Sequence, residues 1–264
     1  MKKVWLITGC SRGFGKVWTG AALARGDRVI ATARNPKTIQ SIANDFGDNA
    51  LVLEMDVCSD EQVGSVVRTG VEHFGRIDIL VNNAGYGLFG PAECVPIHEA
   101  QKVIDTNLLG SLRLIQNILP VMRKQKSGHI IQVSSIAGLL PFADMSLYVA
   151  TKWAVEGMVE SLMAEVRGFG IKVTLVEPGP HDTDWIGASS VRPERLSVYP
   201  GHLEIMQTMW PRLSLGDPLQ TVKPILDLVD SESPPERLLL GSGLLDLVKQ
   251  SYSQRLLAMV NAEA

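Results

Sequence analysis

Tyr148 and Lys152 stand one helical turn apart in Tyr148-Val149-Ala150-Thr151-Lys152, with Ser134-Ser135 a short way upstream. A phenol beside a fixed ammonium is a proton donor whose ordinary pKa of about 10 is drawn toward neutrality, because the cation favours the phenolate. Near the start of the chain, Gly9-Cys10-Ser11-Arg12-Gly13-Phe14-Gly15 follows the apolar run Val4-Trp5-Leu6-Ile7. A glycine-rich turn between a strand and a helix brings helix-terminal amides to an anionic group, so it reads as a phosphate cradle. Acid–base chemistry joined to nucleotide binding points to hydride transfer at a carbonyl or an alcohol.

Such groups need a scaffold that holds them at one edge. Short β-branched runs recur at Val4–Ile7, Arg28–Ala31, Leu51–Leu53, Ile79–Val81, Ile130–Val133 and Val173–Val176, with amphipathic stretches between them, and Glu236–Leu240 reads as a last strand. Strands apolar along their whole length belong to a sheet covered on both faces, and right-handed crossovers then give an α/β, Rossmann-type doubly wound parallel sheet flanked by helices. With 264 residues, 45% hydrophobic and 20% charged, residues 1–264 are expected to form a single domain. From about residue 180 to 218 the alternation stops, and Pro193, Pro200 and Pro211 gather with Trp185, Tyr199, Met206, Met209 and Trp210. Ligands bind outside the carboxyl ends of such strands, so this insertion is expected to be a substrate-binding lid. The plainer alternative is a surface excursion with its own small cluster.

Composition narrows the partners. A formal charge of -3, with no segment that concentrates Lys and Arg, argues against nucleic acid. Cys10, Cys58 and Cys94 are odd in number and outside any Cys-x-x-Cys pattern, which predicts reduced core thiols rather than a disulfide framework or a zinc site. His73, His98, His129, His181 and His202 never pair at helical ligand spacing, so no metal is expected. The apolar run before the glycine turn is too short for a signal peptide or a membrane span, and the expected location is cytoplasmic.

Within the cradle, Gly9 permits the tight turn, Gly13 allows close approach to phosphate, and Gly15 lets the following helix pack on the sheet. That helix is predicted over Lys16–Arg25 and stopped by Gly26-Asp27. About twenty residues on, dinucleotide folds carry an acid that binds the ribose hydroxyls. Here the chain has Ala31-Thr32-Ala33-Arg34. A guanidinium with no competing carboxylate favours a 2′-phosphate, which predicts NADP(H) over NAD(H). Arg12 either adds to that positive field or is a surface residue at the helix end. Asp56-Val57 closes the third strand at adenine height, or else Asp56 caps the helix beginning near Ser59.

The ordered set Thr8-Gly9-x-x-x-Gly13-x-Gly15, Asn82-Asn83-Ala84-Gly85, Asn107, Ser135, Tyr148-x-x-x-Lys152 and Pro178-Gly179-x-x-x-Thr183 resembles the short-chain dehydrogenase/reductase family. Arg237–Ser242 resembles the end of members with longer substrate loops. The resemblance implies that Tyr148 is the general acid in reduction and the base in reverse, with Lys152 holding the nicotinamide ribose and lowering the phenol's pKa. It also implies that Ser135 binds the substrate oxygen and that Asn107 holds a water linking Lys152 to solvent. The cofactor-binding set it implies comprises Gly9, Ser11, Arg12, Gly13, Phe14, Gly15, Arg34, Asp56, Val57, Asn83, Ala84, Gly85, Tyr148, Lys152, Pro178, Gly179 and Thr183, with Asn82 steadying the turn after the fourth strand. Alone, a Tyr and a Lys one turn apart are a core aromatic beside a snorkelling amine, and Ser-Ser is a strand-end cap. Their joint occurrence in one order overturns those readings. Asn107, poorly suited to a helix interior, hints at a bend with a function. His181-Asp182 departs from the family pattern, so His181 stays outside the catalytic set.

By the same likeness Leu139, Leu140, Phe142, Tyr86, Trp185 and Tyr199 surround the mouth of an apolar pocket suited to a hydrophobic carbonyl or alcohol. The helix carrying Tyr148 is apolar on most sides, which implies a homodimer or homotetramer, or cover from a segment such as Leu244–Val248. The leading expectation is an NADP-dependent carbonyl reductase or alcohol dehydrogenase. Alternatives are an isomerase, dehydratase or cyclase using the same cofactor site, and a non-catalytic NADP(H)-sensing protein.

Overall fold

A computed structural model of the chain describes residues 2–185, 187, 190–201, 204 and 215–262. Met206, Met209, Trp210, Pro211 and His202 lie outside the described residues, and with them most of the apolar side chains assigned to the lid. Seven strands, β1 (Val4–Ile7), β2 (Arg28–Ala33), β3 (Ala50–Glu54), β4 (Ile79–Asn82), β5 (Gly128–Val133), β6 (Ile171–Pro178) and β7 (Arg237–Leu240), form one sheet in the order β3-β2-β1-β4-β5-β6-β7. Every pairing is parallel. Each predicted strand is present, and most run beyond their apolar runs, because backbone pairing continues where side-chain pattern stops. The order reverses between β1 and β4, which opens a crevice at their carboxyl ends.

Alternation along each strand divides the core into two layers. Leu6, Ile30, Leu80, Ile130 and Leu175 face helices α3 (Asp60–Phe74), α5 (Gly110–Gln125) and α6 (Ser146–Val166), which supply Val66, Leu114, Ile118, Val155 and Val159. On the other face Trp5, Ile7, Val29, Val81 and Ile131 meet Trp18 and Leu23 of α1 (Gly13–Ala24) and Ile225 and Leu228 of α7 (Val222–Asp230). Helix α1 begins three residues before the predicted Lys16, because Gly13 and Gly15 conceal its first turn from a reading of propensity. It ends as predicted, with Gly26 at φ +89°.

Helix α6 is less bare than its sequence implies. Val155, Val159 and Leu162 are buried, and Met158 and Met163 pack partly against the same layer. Trp153 remains 39% exposed, and Arg255 of the C-terminal helix α8 (Leu244–Asn261) lies over its ring at 4.4 Å. Cover from within the chain therefore accounts for part of the apolar surface, and at Trp153 it comes from Arg255.

Asp27 shows how the first strand is seated. Its carboxylate accepts from the Lys3 backbone N–H at 3.0 Å, the Trp5 indole at 2.8 Å and Arg25 Nε at 2.7 Å, in a residue only 6% exposed. Removing it leaves a buried indole N–H and an amide unanswered. Asp27→Ala is expected to cost about 2–4 kcal/mol, read as a lower midpoint in urea unfolding with an unchanged slope.

Candidate active site

The crevice at the carboxyl ends of β1, β2, β4, β5 and β6 forms a cavity of about 860 Å³, within the range of small-molecule and cofactor sites. Gly9, Ser11, Arg12, Gly13 and Phe14 line one wall, Asn83, Ala84 and Gly85 the floor, and Arg34, Asp56 and Val57 one end. Ser135, Tyr148, Lys152, Pro178, Gly179 and Thr183 line the other end. Residues spread over most of the chain are thus brought to one surface. Gly15 and Asn107 do not reach the cavity; both stand behind it.

The glycine turn is shaped by close approach rather than by composition alone. Gly9 and Gly13 hold φ of +72° and +54°, which a side chain rarely adopts. A Cβ on Gly15 would stand 2.3 Å from the Gly9 carbonyl oxygen. Gly15 therefore packs the helix on the turn itself, not on the sheet. Helix α1 has no side-chain cap at Arg12 and no acid in its first turn, and its leading residues Gly13 and Phe14 line the cavity. That arrangement fits a dinucleotide's phosphates.

Thr8 joins this turn to the one after β4, a role its sequence did not announce. Its hydroxyl accepts from the backbone N–H of Asn83 at 2.9 Å and of Ala84 at 2.8 Å. The Asn83 side chain returns to the Thr8 carbonyl at 2.8 Å. Asn82 instead donates to the Ser111 carbonyl at 3.0 Å and ties β4 to α5. The tie expected of Asn82 thus falls to its neighbour, because the strand pleat turns Asn82 inward.

At the Arg34 end, the exposed guanidinium sets its charge against burial and the Glu99 and Cys58 charges that push the Tyr86 phenol up to about 12. Asp56 does not cap α3. Its carboxylate accepts from the Cys58 N–H at 2.9 Å, while Ser59 accepts from the Gln62 N–H at 3.3 Å as the cap. Cys10 is buried, but Cys58 and Cys94 are only partly so, and Cys58 lines the cavity; the expectation of core thiols holds for Cys10 alone. Burial pushes the Cys10 and Cys58 thiols up to about 11, so neither is a ready nucleophile.

At the other end, α6 presents Tyr148 and Lys152 on one face, both buried. Lys152 Nζ donates to the Val133 carbonyl at 2.9 Å and lies 5.7 Å from the Tyr148 ring centre. Burial lowers Lys152 from 10.5 to about 8, against the opposing charge of Glu156. Burial also raises the Tyr148 phenol, with a hydrogen bond from Ser135 as the opposing influence. Burial therefore opposes the lowering of the phenol's pKa that the pairing implied. Asn107 sits in a π-helical turn, Asp105–Leu109, the bend its propensity foretold. Its side chain is committed to the Tyr86 backbone, accepting at 3.0 Å and donating at 3.0 Å, and to Thr151 at 3.3 Å. Its carbonyl receives the Ser111 hydroxyl at 3.1 Å.

Apolar cover is narrower than expected. Trp185 lies 5.0 Å from the Tyr148 ring and 5.1 Å from Phe89, and with Tyr86, Met145, Ile136 and Val191 it lines the cavity. Leu139 and Leu140 pack against Leu244 instead, and Tyr199 donates to Glu93 at 2.6 Å on the surface. Phe142 packs beside Tyr148 and Trp185. His181 is buried, donates from Nδ1 to the Gly179 carbonyl at 3.0 Å, and meets the edge of Phe14. It lines the cavity wall, where the loop before Thr183 needs a rigid support.

The cost of a buried amine has a measurable sign. With its folded pKa below that of the unfolded chain, Lys152 costs stability in full below about pH 8, and the cost fades as pH rises through 10.5. The difference corresponds to about 3 kcal/mol. Lys152→Met is expected to raise Tm by a few degrees at pH 7, with the gain vanishing above pH 10.5 in the same thermal scans.

The short chain dehydrogenase family model matches residues 3–192. The chain is similar to Oxidoreductase BOA17 of Botryotinia fuckeliana, 38% identical over 91% of this chain and 89% of that one. It is also similar to human Retinol dehydrogenase 8, 34% identical over 88% and 79%. A short-chain dehydrogenase structure from Streptomyces avermitilis superposes with a TM-score of 0.91 at 34% identity, covering 100% of this chain and 97% of that one. Among solved chains of similar fold are one with NADP bound and one in complex with NAD. By motif order, fold and kinship the chain belongs to the short-chain dehydrogenase family of oxidoreductases.

Proposed function

We propose that the protein is an NADP(H)-dependent reductase that interconverts an apolar ketone or aldehyde and its alcohol. The observation that carries this reading is the convergence of Ser135, Tyr148 and Lys152 on the cavity that also receives the uncapped amides of α1. A bound nicotinamide would supply or accept the hydride. Tyr148 would give its hydroxyl proton to the carbonyl oxygen, and take it back in the reverse direction. Ser135, which lines the same cavity as Tyr148, would donate to the same oxygen where negative charge grows. Lys152 would hold the ribose hydroxyls, which brings its charge to the phenol's side of the cavity. Asn107 would position that end through Tyr86 and Thr151.

Arg34 supports NADP(H) over NAD(H), since it directly follows β2 without a carboxylate nearby in sequence. Trp185 over Tyr148, with Met145 and Val191, supports an apolar substrate. The apolar alcohol named for one relative is of the same chemical kind. The segment from 180 to 218 is read as the lid, anchored by the ion pair between Arg195 and Asp144. A cytoplasmic, homo-oligomeric protein remains the reading of location and assembly.

Absorbance of NADPH and NADH, followed with a panel of ketones, tests this. Tyr148→Phe is expected to lower turnover about 10²- to 10⁴-fold with NADPH binding retained. Binding without turnover of any carbonyl by the unaltered protein would overturn the reductase reading. Arg34→Asp is expected to move preference toward NADH by at least tenfold in kcat/KM, about 1.4 kcal/mol; an unchanged ratio removes Arg34 from that role.

A further inference from the structure

Helix α6 carries Tyr148, Lys152, Glu156 and Glu160 at four-residue spacing, so a phenol, an amine and two carboxyls run along one ridge. The first two face the cavity, and the third has no part in the reaction just described. Yet its side chain is only 8% exposed, and that of Glu177 on β6 only 1%. A single guanidinium answers both. Arg237 Nη1 donates to Glu156 Oε2 at 2.8 Å and also to Glu177 Oε1, while Nη2 reaches Glu160.

Two buried carboxyls, with the exposed Glu160 beside them, share one arginine, which leaves an excess of negative charge at the buried pair. Burial and the Glu156 charge push the Glu177 carboxyl well above the usual carboxylate range, against Arg237. The pair is therefore inclined to hold a proton, with one negative charge remaining. Glu156 Oε1 has no hydrogen-bond partner among the described residues, and neither has Ser134 Oγ. A Cβ on Gly138 would lie 2.8 Å from the first and 2.6 Å from the second. Both oxygens thus converge on one gap behind the end of β5, next to Val133, whose carbonyl holds Lys152.

A rivet between α6, β6 and β7 would use both oxygens of Glu156. Here one oxygen is spent on Arg237, and the other stays buried and unanswered beside the strand end that seats the amine. We infer that Glu156, held against Glu177 by Arg237, is a positioning residue whose buried negative charge keeps Lys152 an ammonium. This rests on the reductase reading, in which a charged Lys152 grips the ribose and polarises Tyr148. Around Glu156 stand Glu160 on α6, Glu177 on β6 and Arg237 on β7, and of these acids it is the Glu156 charge that opposes burial at Lys152. Without it, burial drives the amine toward its neutral form.

The test reads Lys152 directly. Lysine labelled with carbon-13 at the ε position is incorporated into the 264-residue chain, the Lys152 signal is assigned by its loss in Lys152→Arg, and its shift is followed against pH. Glu156→Gln is expected to lower the midpoint by about one pH unit, Glu156→Asp by a smaller step, and Glu160→Gln not at all. In NADPH-dependent reduction, the alkaline limb of kcat should move to lower pH in Glu156→Gln by the same step, with KM for the ketone unchanged. A folded Glu156→Gln protein whose Lys152 midpoint stays in place overturns the proposal, and if that variant does not fold, an unmoved midpoint in Glu156→Asp does so. The titration needs no turnover, so a protein that reduces no carbonyl, yet whose Lys152 midpoint follows Glu156, counts against the reductase reading alone.

Discussion

A primary amine held out of water is the constraint around which the rest is arranged. Lys152 is 7% exposed, bonded to the Val133 carbonyl and set beside the Tyr148 ring. Desolvation of an ammonium is costly, and proteins tolerate it where charge is put to use. Here α6 must pack closely on the end of β5 for the bond to Val133 to exist at all. That packing comes from Val155, Val159 and Leu162 meeting the sheet layer. A stable core thus holds an unfavourable charge in place, and the charge in turn gives the cavity its character.

The same cavity exists because the strand order reverses. Outward growth from β1 to β3 on one side and β4 to β7 on the other leaves the helices that follow β1 and β4 on opposite faces. Their connecting turns part, and Thr8 with Asn83 holds the parted turns at a fixed spacing. Backbone amides of the glycine turn and a phenol, a hydroxyl and an amine then line one crevice. Trp185, Met145 and Val191 add an apolar lining to the cavity that Tyr148 also lines.

Much of this was legible in the order of residues. Val4–Ile7, Ile79–Val81 and the other apolar runs became strands because a two-sided sheet demands continuous apolar side chains, a local signal. Gly9, Gly13, Ser135, Tyr148 and Lys152 were legible because their types and spacing are tied to one geometry of turn and helix. Asn107 was legible as a misfit, and the π-helical turn is what that misfit meant. Leu139, Leu140 and Tyr199 were placed at the mouth by likeness alone, and the chain uses them elsewhere, since sequence position gives no direction to a loop side chain.

Fold class, the cradle, the spacing of phenol and amine and the family kinship were determined by sequence alone, because each rests on periodicity or on contacts within a few residues. The charge state of the site was decided only by tertiary structure. Glu156, Glu177 and Arg237 come from a helix and two strands, and nothing in their separate neighbourhoods marks them as partners. Burial raised Tyr148 and lowered Lys152, against the expectation drawn from their pairing, because desolvation depends on everything packed around a group and not on the residue one turn away.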